Sequence, residues 1–106
     1  MSVGANSSVE ANLSPYNTMP GQGGQIAVAA TVPAAGAGEI TAKLQVGTEV
    51  PAAKILLPVE KLAGAGPDSE TPTFSAVGAP SDPNILEFTN KSAGAIIVSF
   101  DVAIIF

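Results

Sequence analysis

The C-terminal run of the chain constrains its fold most. From Ala95 to Phe106 every second residue is large and apolar, with Ile96, Val98, Phe100, Val102, Ile104 and Phe106 sharing one side. A period of two is the mark of an extended strand, because successive side chains point to opposite faces. The other side reads Ala95, Ile97, Ser99, Asp101, Ala103 and Ile105, which is semi-apolar. A strand apolar on both faces over much of its length belongs in the middle of a sheet or at a contact between subunits.

The same alternation recurs upstream. Ile26, Val28, Ala30 and Val32 alternate with Gln25, Ala27, Ala29 and Thr31. After a break at Pro33 to Gly38, Ile40, Ala42, Leu44 and Val46 point one way while Glu39, Thr41, Lys43 and Gln45 point the other. Two alternating runs joined by a small-residue loop predict an antiparallel pair. By the same reasoning Ile85 to Thr89 and the C-terminal run, joined by Asn90 to Gly94, predict a β-hairpin. Residues 49–62 fit a short edge strand, since Pro58 opposes both a long helix and a central strand, with a turn of helix to follow at Val59 to Ala63. Thr73 to Val77 reads as a brief strand around Phe74. No long helix is expected, so the pattern predicts an all-β fold, a small antiparallel β-sandwich or barrel of about six to seven strands.

Residues 1–24 read differently. Gly, Ser, Asn, Pro and Gln dominate them, no apolar period persists, and they end in Gly21-Gln22-Gly23-Gly24. The expected division is an N-terminal arm over 1–24, flexible or bound to a partner, and a single β domain over 25–106. Leu13, Tyr16, Met19 and Pro20 are the arm's only apolar cluster, and Tyr16 is the chain's single tyrosine. A frayed terminus and a segment that orders on a neighbouring subunit, anchored by Tyr16, are both open at this point.

Composition narrows function. The chain has 106 residues and a net charge of −5, from nine carboxylates against four lysines and no arginine. Arginine is the residue most used to fork onto phosphate or guanine, and Lys43, Lys54, Lys61 and Lys91 are scattered, so nucleic acid is not an expected partner. Anionic membrane surfaces are excluded on the same ground. No run reaches the ~18 apolar residues of a membrane span, and the sequence as it stands begins without a basic and apolar leader, so neither a transmembrane segment nor a signal peptide is expected. Ala and Val lead the apolar inventory, which makes a thin core and favours a homo-oligomer that shares apolar surface.

Catalytic chemistry is poorly served. Histidine and cysteine are both absent, which removes the commonest general base, the serine–histidine triads, thiolates and their metal sites. Asp68 with Glu70 is the only close acidic pair, and with Asp82 it makes a sparser set than calcium normally takes. The glycine runs neither follow a strand nor open a helix, so they are loops rather than phosphate cradles. No enzyme activity, cofactor or metal is expected. Asp101 stands out as a carboxylate within an apolar strand: it either faces outward or pairs with a lysine across a subunit contact. The candidate interface residues are therefore Leu13, Tyr16, Met19, Ile97, Asp101 and Ile105.

In its organisation, acidic and cysteine-free, with a Gly/Pro/Ser-rich arm leading into a compact β domain, the chain resembles the small decoration or cement proteins that tailed bacteriophages add to their capsids. That resemblance implies a structural protein at the virion surface, a trimer with its arm lying on the major capsid or other shell protein. A surface adhesin or pilin-like module at the cell surface, with the C-terminal strand completing a neighbour's sheet, is the alternative. A small carbohydrate-binding domain is a third reading, though few exposed aromatics are on offer for stacking on sugar.

Overall fold

Alternation becomes strands where it was strongest. A computed structural model describes residues 1–67 and 72–105. It contains β1 (Ser2–Val3), β2 (Ser7–Glu10), β3 (Gly24–Thr31), β4 (Ile40–Val46), β5 (Glu49–Leu56), β6 (Phe74–Gly78), β7 (Asn84–Asn90), β8 (Ile96–Ile97) and β9 (Ser99–Ile105). One turn of 3-10 helix, Ala34–Gly36, is the single helical element among the described residues. The strands form a four-stranded sheet in the order β2-β7-β4-β5, a three-stranded sheet β6-β3-β9, and a two-stranded pair β1-β8, all antiparallel.

The two larger sheets pack face to face. Ile40, Ala42, Leu44 and Val46 of β4 and Leu86 and Phe88 of β7 share one buried cluster with Ile26, Val28 and Ala30 of β3. Phe88 meets Phe100 across the layers, ring centroids 5.6 Å apart and tilted by 54°. Fully burying each such side chain contributes about 1.5–3 kcal/mol. Close approach also requires Gly78, where a Cβ would lie 2.6 Å from Met19 Cε and 2.8 Å from Val46 Cγ1.

Both expected hairpins are corrected. β3 and β4 lie in different sheets, as do β7 and β9, so each connection crosses the sandwich instead of turning within a sheet. Alternation cannot separate the two cases, because strands that face each other and strands that pair both turn one face to the same core. The two crossings meet at one end, where the Lys91 N–H donates to the Glu39 carbonyl at 3.1 Å. Among the described residues the one hairpin that does join neighbours is β4–β5, through Gly47 at φ +63°, a conformation glycine adopts without steric cost. β5 is an edge strand as expected and its pairing is bulged. No helix follows it: Val59 forms a parallel bridge to Val32.

The N-terminal segment is the larger correction, because residues 1–24 are built into the sandwich. β1 pairs with β8, β2 pairs with β7, and Val3, Leu13 and Met19 are buried in the core. Two asparagines explain why. Asn84 and Asn90, at the two ends of β7, are buried in phase with Leu86 and Phe88. Asn90 Nδ2 donates to the Val3 carbonyl at 3.0 Å and to the Gly94 carbonyl at 2.9 Å, while its Oδ1 accepts from Ser92 N–H. Asn84 Nδ2 donates to the Tyr16 carbonyl at 3.0 Å. The strand count thus exceeds six or seven, since this segment adds two short strands and Val98 divides the C-terminal run. Val98 is buried and exchanges hydrogen bonds with Met1 rather than β3.

Candidate functional site

The side chains on the outer face of the three-stranded sheet include Val77, the most exposed large apolar residue among those described. Register sets them in rows: Val77, Gln25 and Ile105, then Ser75, Ala27 and Ala103, then Ala29 beside Asp101, and Thr31 beside Ser99. Past Gln25 the central strand β3 contributes only small residues here, Ala27, Ala29 and Thr31, and all three are buried. The flanks are the reverse, with Val77 82% and Ile105 57% exposed. The result is a shallow trough with apolar shoulders, and Asp101 is the one charge in these rows.

At one end the trough deepens into a cleft of about 460 Å³ under the loop from Pro58 to Pro67. Ala29 and Thr31 lie at it on the sheet side, with Thr73 beside them, and Val59, Lys61 and Leu62 come from the loop. The loop is held in shape by Glu60. Its carboxylate accepts from Gly64 N–H at 2.8 Å and Gly66 N–H at 3.1 Å, while its own N–H donates to the Val32 carbonyl. The two threonines differ. Thr73 Oγ1 donates to the Ala30 carbonyl and accepts from Ala30 N–H, whereas the buried Thr31 Oγ1 has no partner.

The residues singled out from sequence divide between surface and core. Ile97 (62% exposed), Asp101 and Ile105 face outward as their alternation requires, and Tyr16 is 40% exposed. Leu13 and Met19 are each 3% exposed and pack in the core, so neither is available to a partner. The site residues do not all form one patch. Ile105 lies on the trough and Ile97 sits on β8, whereas Tyr16, beside the edge of β9, lines a groove of about 170 Å³ together with Leu13 and Asp101 and a second of about 250 Å³ together with Met19. The inward set is as expected for Ile96 and Val98, which are buried, and for Phe100, Val102 and Ile104, which pack partly buried against the core. Phe106 lies outside the described residues. Val77, Leu62 and the cleft were not singled out from sequence, because a lone Val in a short strand and a Leu in an irregular loop carry no period.

Polar groups do not converge. Asp82, one of the three acids considered for calcium, spends its carboxylate on Ala79 N–H at 2.9 Å, and Asp68 and Glu70 lie outside the described residues. Among the described residues no group of three or more acidic side chains is placed to hold a metal, and no helix is long and apolar enough to cross a membrane. No protein-family model matches the chain, and neither a curated protein nor a solved structure matches it.

Proposed function

We propose that this chain is a structural assembly subunit, a homo-oligomeric decoration protein that binds a virion shell through repeated weak contacts. The observation that carries the reading is the outer face of the three-stranded sheet, apolar at its shoulders and nearly free of charge. A chain of net charge −5 repels its own copies, so self-contact is favoured where charge is least. A second copy is therefore the occupant proposed for this face.

Size sets the strength. With strands about 4.8 Å apart and a rise of about 3.3 Å per residue, a face of three strands covers on the order of 300 Å². A stable interface takes about 800 Å² per partner, so this face alone supports weak association. Weak contacts repeated on a shell become strong through avidity, which suits a trimer fixed to a shell protein better than a free, permanent oligomer.

Sedimentation over micromolar to millimolar concentration tests the self-contact. The expected result is a reversible oligomer that Val77→Lys or Ile105→Lys shifts to monomer with the melting temperature unchanged. A wild type that stays monomeric throughout, and fails to bind expanded empty shells, overturns the reading. One feature favours the pilin-like alternative: β9 is a seven-residue edge strand in unbroken register with β3. Its free edge is flanked by the segment around Tyr16, which a partner strand has to displace.

A further inference from the structure

We infer that the free edge of β9 is a docking site for an extended segment of a second protein, one that carries a lysine or arginine between apolar residues. The backbone decides which groups the edge offers. Both backbone groups of Ala30 are spent on Thr73 Oγ1, on the β6 side of β3, and Val98 exchanges hydrogen bonds with Met1. Alternation then turns the backbone groups of Ser99, Asp101, Ala103 and Ile105 towards β3 and those of Phe100, Val102 and Ile104 outward. Among the described residues nothing hydrogen-bonds the N–H and C=O groups of these last three from the outer side. The segment from Asn12 to Pro20 stands alongside, across hollows of about 170 and 250 Å³, so it gives way to a partner without breaking a bond of β9.

The other sheet edges are blunted. β2 has four residues, β6 has five, and β5 is bulged in its pairing and carries the exposed Lys54. Short, bulged or lysine-bearing edges resist the addition of a strand. β9 has seven residues in unshifted register, with neither lysine nor proline among them. Its charge selects the occupant. Asp101 is exposed, and it is the only charged residue among the described ones lining the hollows on either side of it. Residues 68–71 are Asp, Ser, Glu and Thr, so they bring no cation to it. A second copy would bring its own Asp101 to the edge of a chain that already carries −5, which like-charge repulsion opposes. A strand with a cation opposite Asp101 reverses that sign, while its main chain supplies hydrogen bonds to the outward groups.

The inference goes beyond the self-contact of the outer face, since the occupant is a different chain. Amide NMR shifts and hydrogen exchange of the whole protein test it, with a short capped peptide that alternates Val with Thr around one central Lys and with its Glu counterpart. In the free protein the amides of Phe100, Val102 and Ile104 should exchange fast and those of Asp101 and Ala103 slowly. The Lys peptide should bind saturably and slow the exchange of the first three, and the Glu peptide should bind about fivefold more weakly at low salt. Asp101→Asn should remove that difference. Val102→Pro deletes the central outward donor and leaves the ladder to β3 whole, so it should weaken binding of the Lys peptide about tenfold. Asp101→Asn, at an exposed position, carries the test if Val102→Pro misfolds. Val77→Lys should bind the peptide as the wild type does, which separates this site from the outer-face contact. Absence of saturable binding overturns the inference, as does equal binding of the two peptides by the wild type or unchanged binding in a folded Val102→Pro. So does slow exchange of Phe100, Val102 and Ile104 in wild type that self-associates without peptide, which would give the edge to a second copy.

Discussion

The outer face of the four-stranded sheet sets Ser8, Thr89, Thr41 and Leu56 in one row and Glu10, Glu87 and Lys43 in the next, with Ser8 Oγ and Thr89 Oγ1 hydrogen-bonded at 2.8 Å. The outer face of the three-stranded sheet offers Val77, Gln25 and Ile105, then Ser75, Ala27 and Ala103. Both sheets build the same core with the same alternation, so the core does not dictate what stands at outward positions. What lies outside does. Hydroxyls and mixed charges suit water, whereas small residues between apolar shoulders leave surface that gains free energy when covered. Under the proposed function the first sheet, its 56% exposed Leu56 apart, is left to solvent and the second is covered by a partner.

The comparison presupposes one cooperative body, which Phe88 tests with the largest effect. Phe88→Ala deletes the ring that meets Phe100 across the layers and should cost about 3–5 kcal/mol. Urea unfolding followed by circular dichroism should give one transition with a lower midpoint. Two transitions would mean that the sheets unfold separately and that their backs cannot be compared as faces of one domain.

Next in size is the polar face's dependence on the N-terminal segment, which supplies its edge strand β2. Asn90→Ala removes the side-chain partner of the Val3 carbonyl and of Ser92 N–H, while the Gly94 carbonyl keeps Ser92 Oγ, and should cost about 3 kcal/mol. Hydrogen exchange should accelerate most in β1 and β2. Protection there equal to the wild type would show that strand pairing alone holds the segment.

These asparagines mark the boundary of what the sequence makes legible. The period of two places β3, β4, β7 and β9 and sorts Ile96, Val98 and Phe100 from Ile97 and Asp101 correctly, because side-chain direction in a strand is local. Pairing is not local, and the same period served equally for a hairpin and for the crossings at Pro33 to Gly38 and Asn90 to Gly94. Residues 1–24 have no period because they fold by capping other strands, with Leu13 and Met19 as isolated plugs and Asn84 and Asn90 supplying hydrogen bonds from a distance. A signal was present: asparagine in phase with Leu86 and Phe88 on a core face requires a buried polar partner. The cleft had no such signal, since it is formed by a loop whose shape depends on Glu60 reaching back to Gly64 and Gly66.

A matched pair of substitutions, one on each outer face, separates the two sheets directly. Val77→Lys, on the three-stranded sheet, should weaken self-association at least tenfold, or about 1.4 kcal/mol, because a lysine must be desolvated at the contact. Gln45→Lys, beside Ile85 on the four-stranded sheet, adds the same charge there, gives up the Gln45 Nε2 hydrogen bond to the Gly47 carbonyl, and should leave association unchanged. Sedimentation of both at equal concentration and ionic strength separates the effects. Equal weakening would show that net charge matters and the identity of the face does not.

The smallest effect concerns the polar face as a surface tuned for water. Glu10 and Glu87 stand directly opposite each other in the β2–β7 register, and Lys43 faces Glu87 from the other side. Like charges opposite one another in an antiparallel pair are destabilising, and one lysine on the far side of Glu87 offsets only part of that. Glu10→Lys converts the row to alternating sign and should stabilise the fold by about 0.5 kcal/mol at low salt. Because the row is open to solvent, the gain should shrink as added salt shortens the Debye length to about 3 Å at 1 M. Thermal melts of both proteins across a salt series measure it. A gain that persists at high salt would have to come from packing of the lysine stem, and this face would then bury apolar surface of its own instead of serving only as a solvated back.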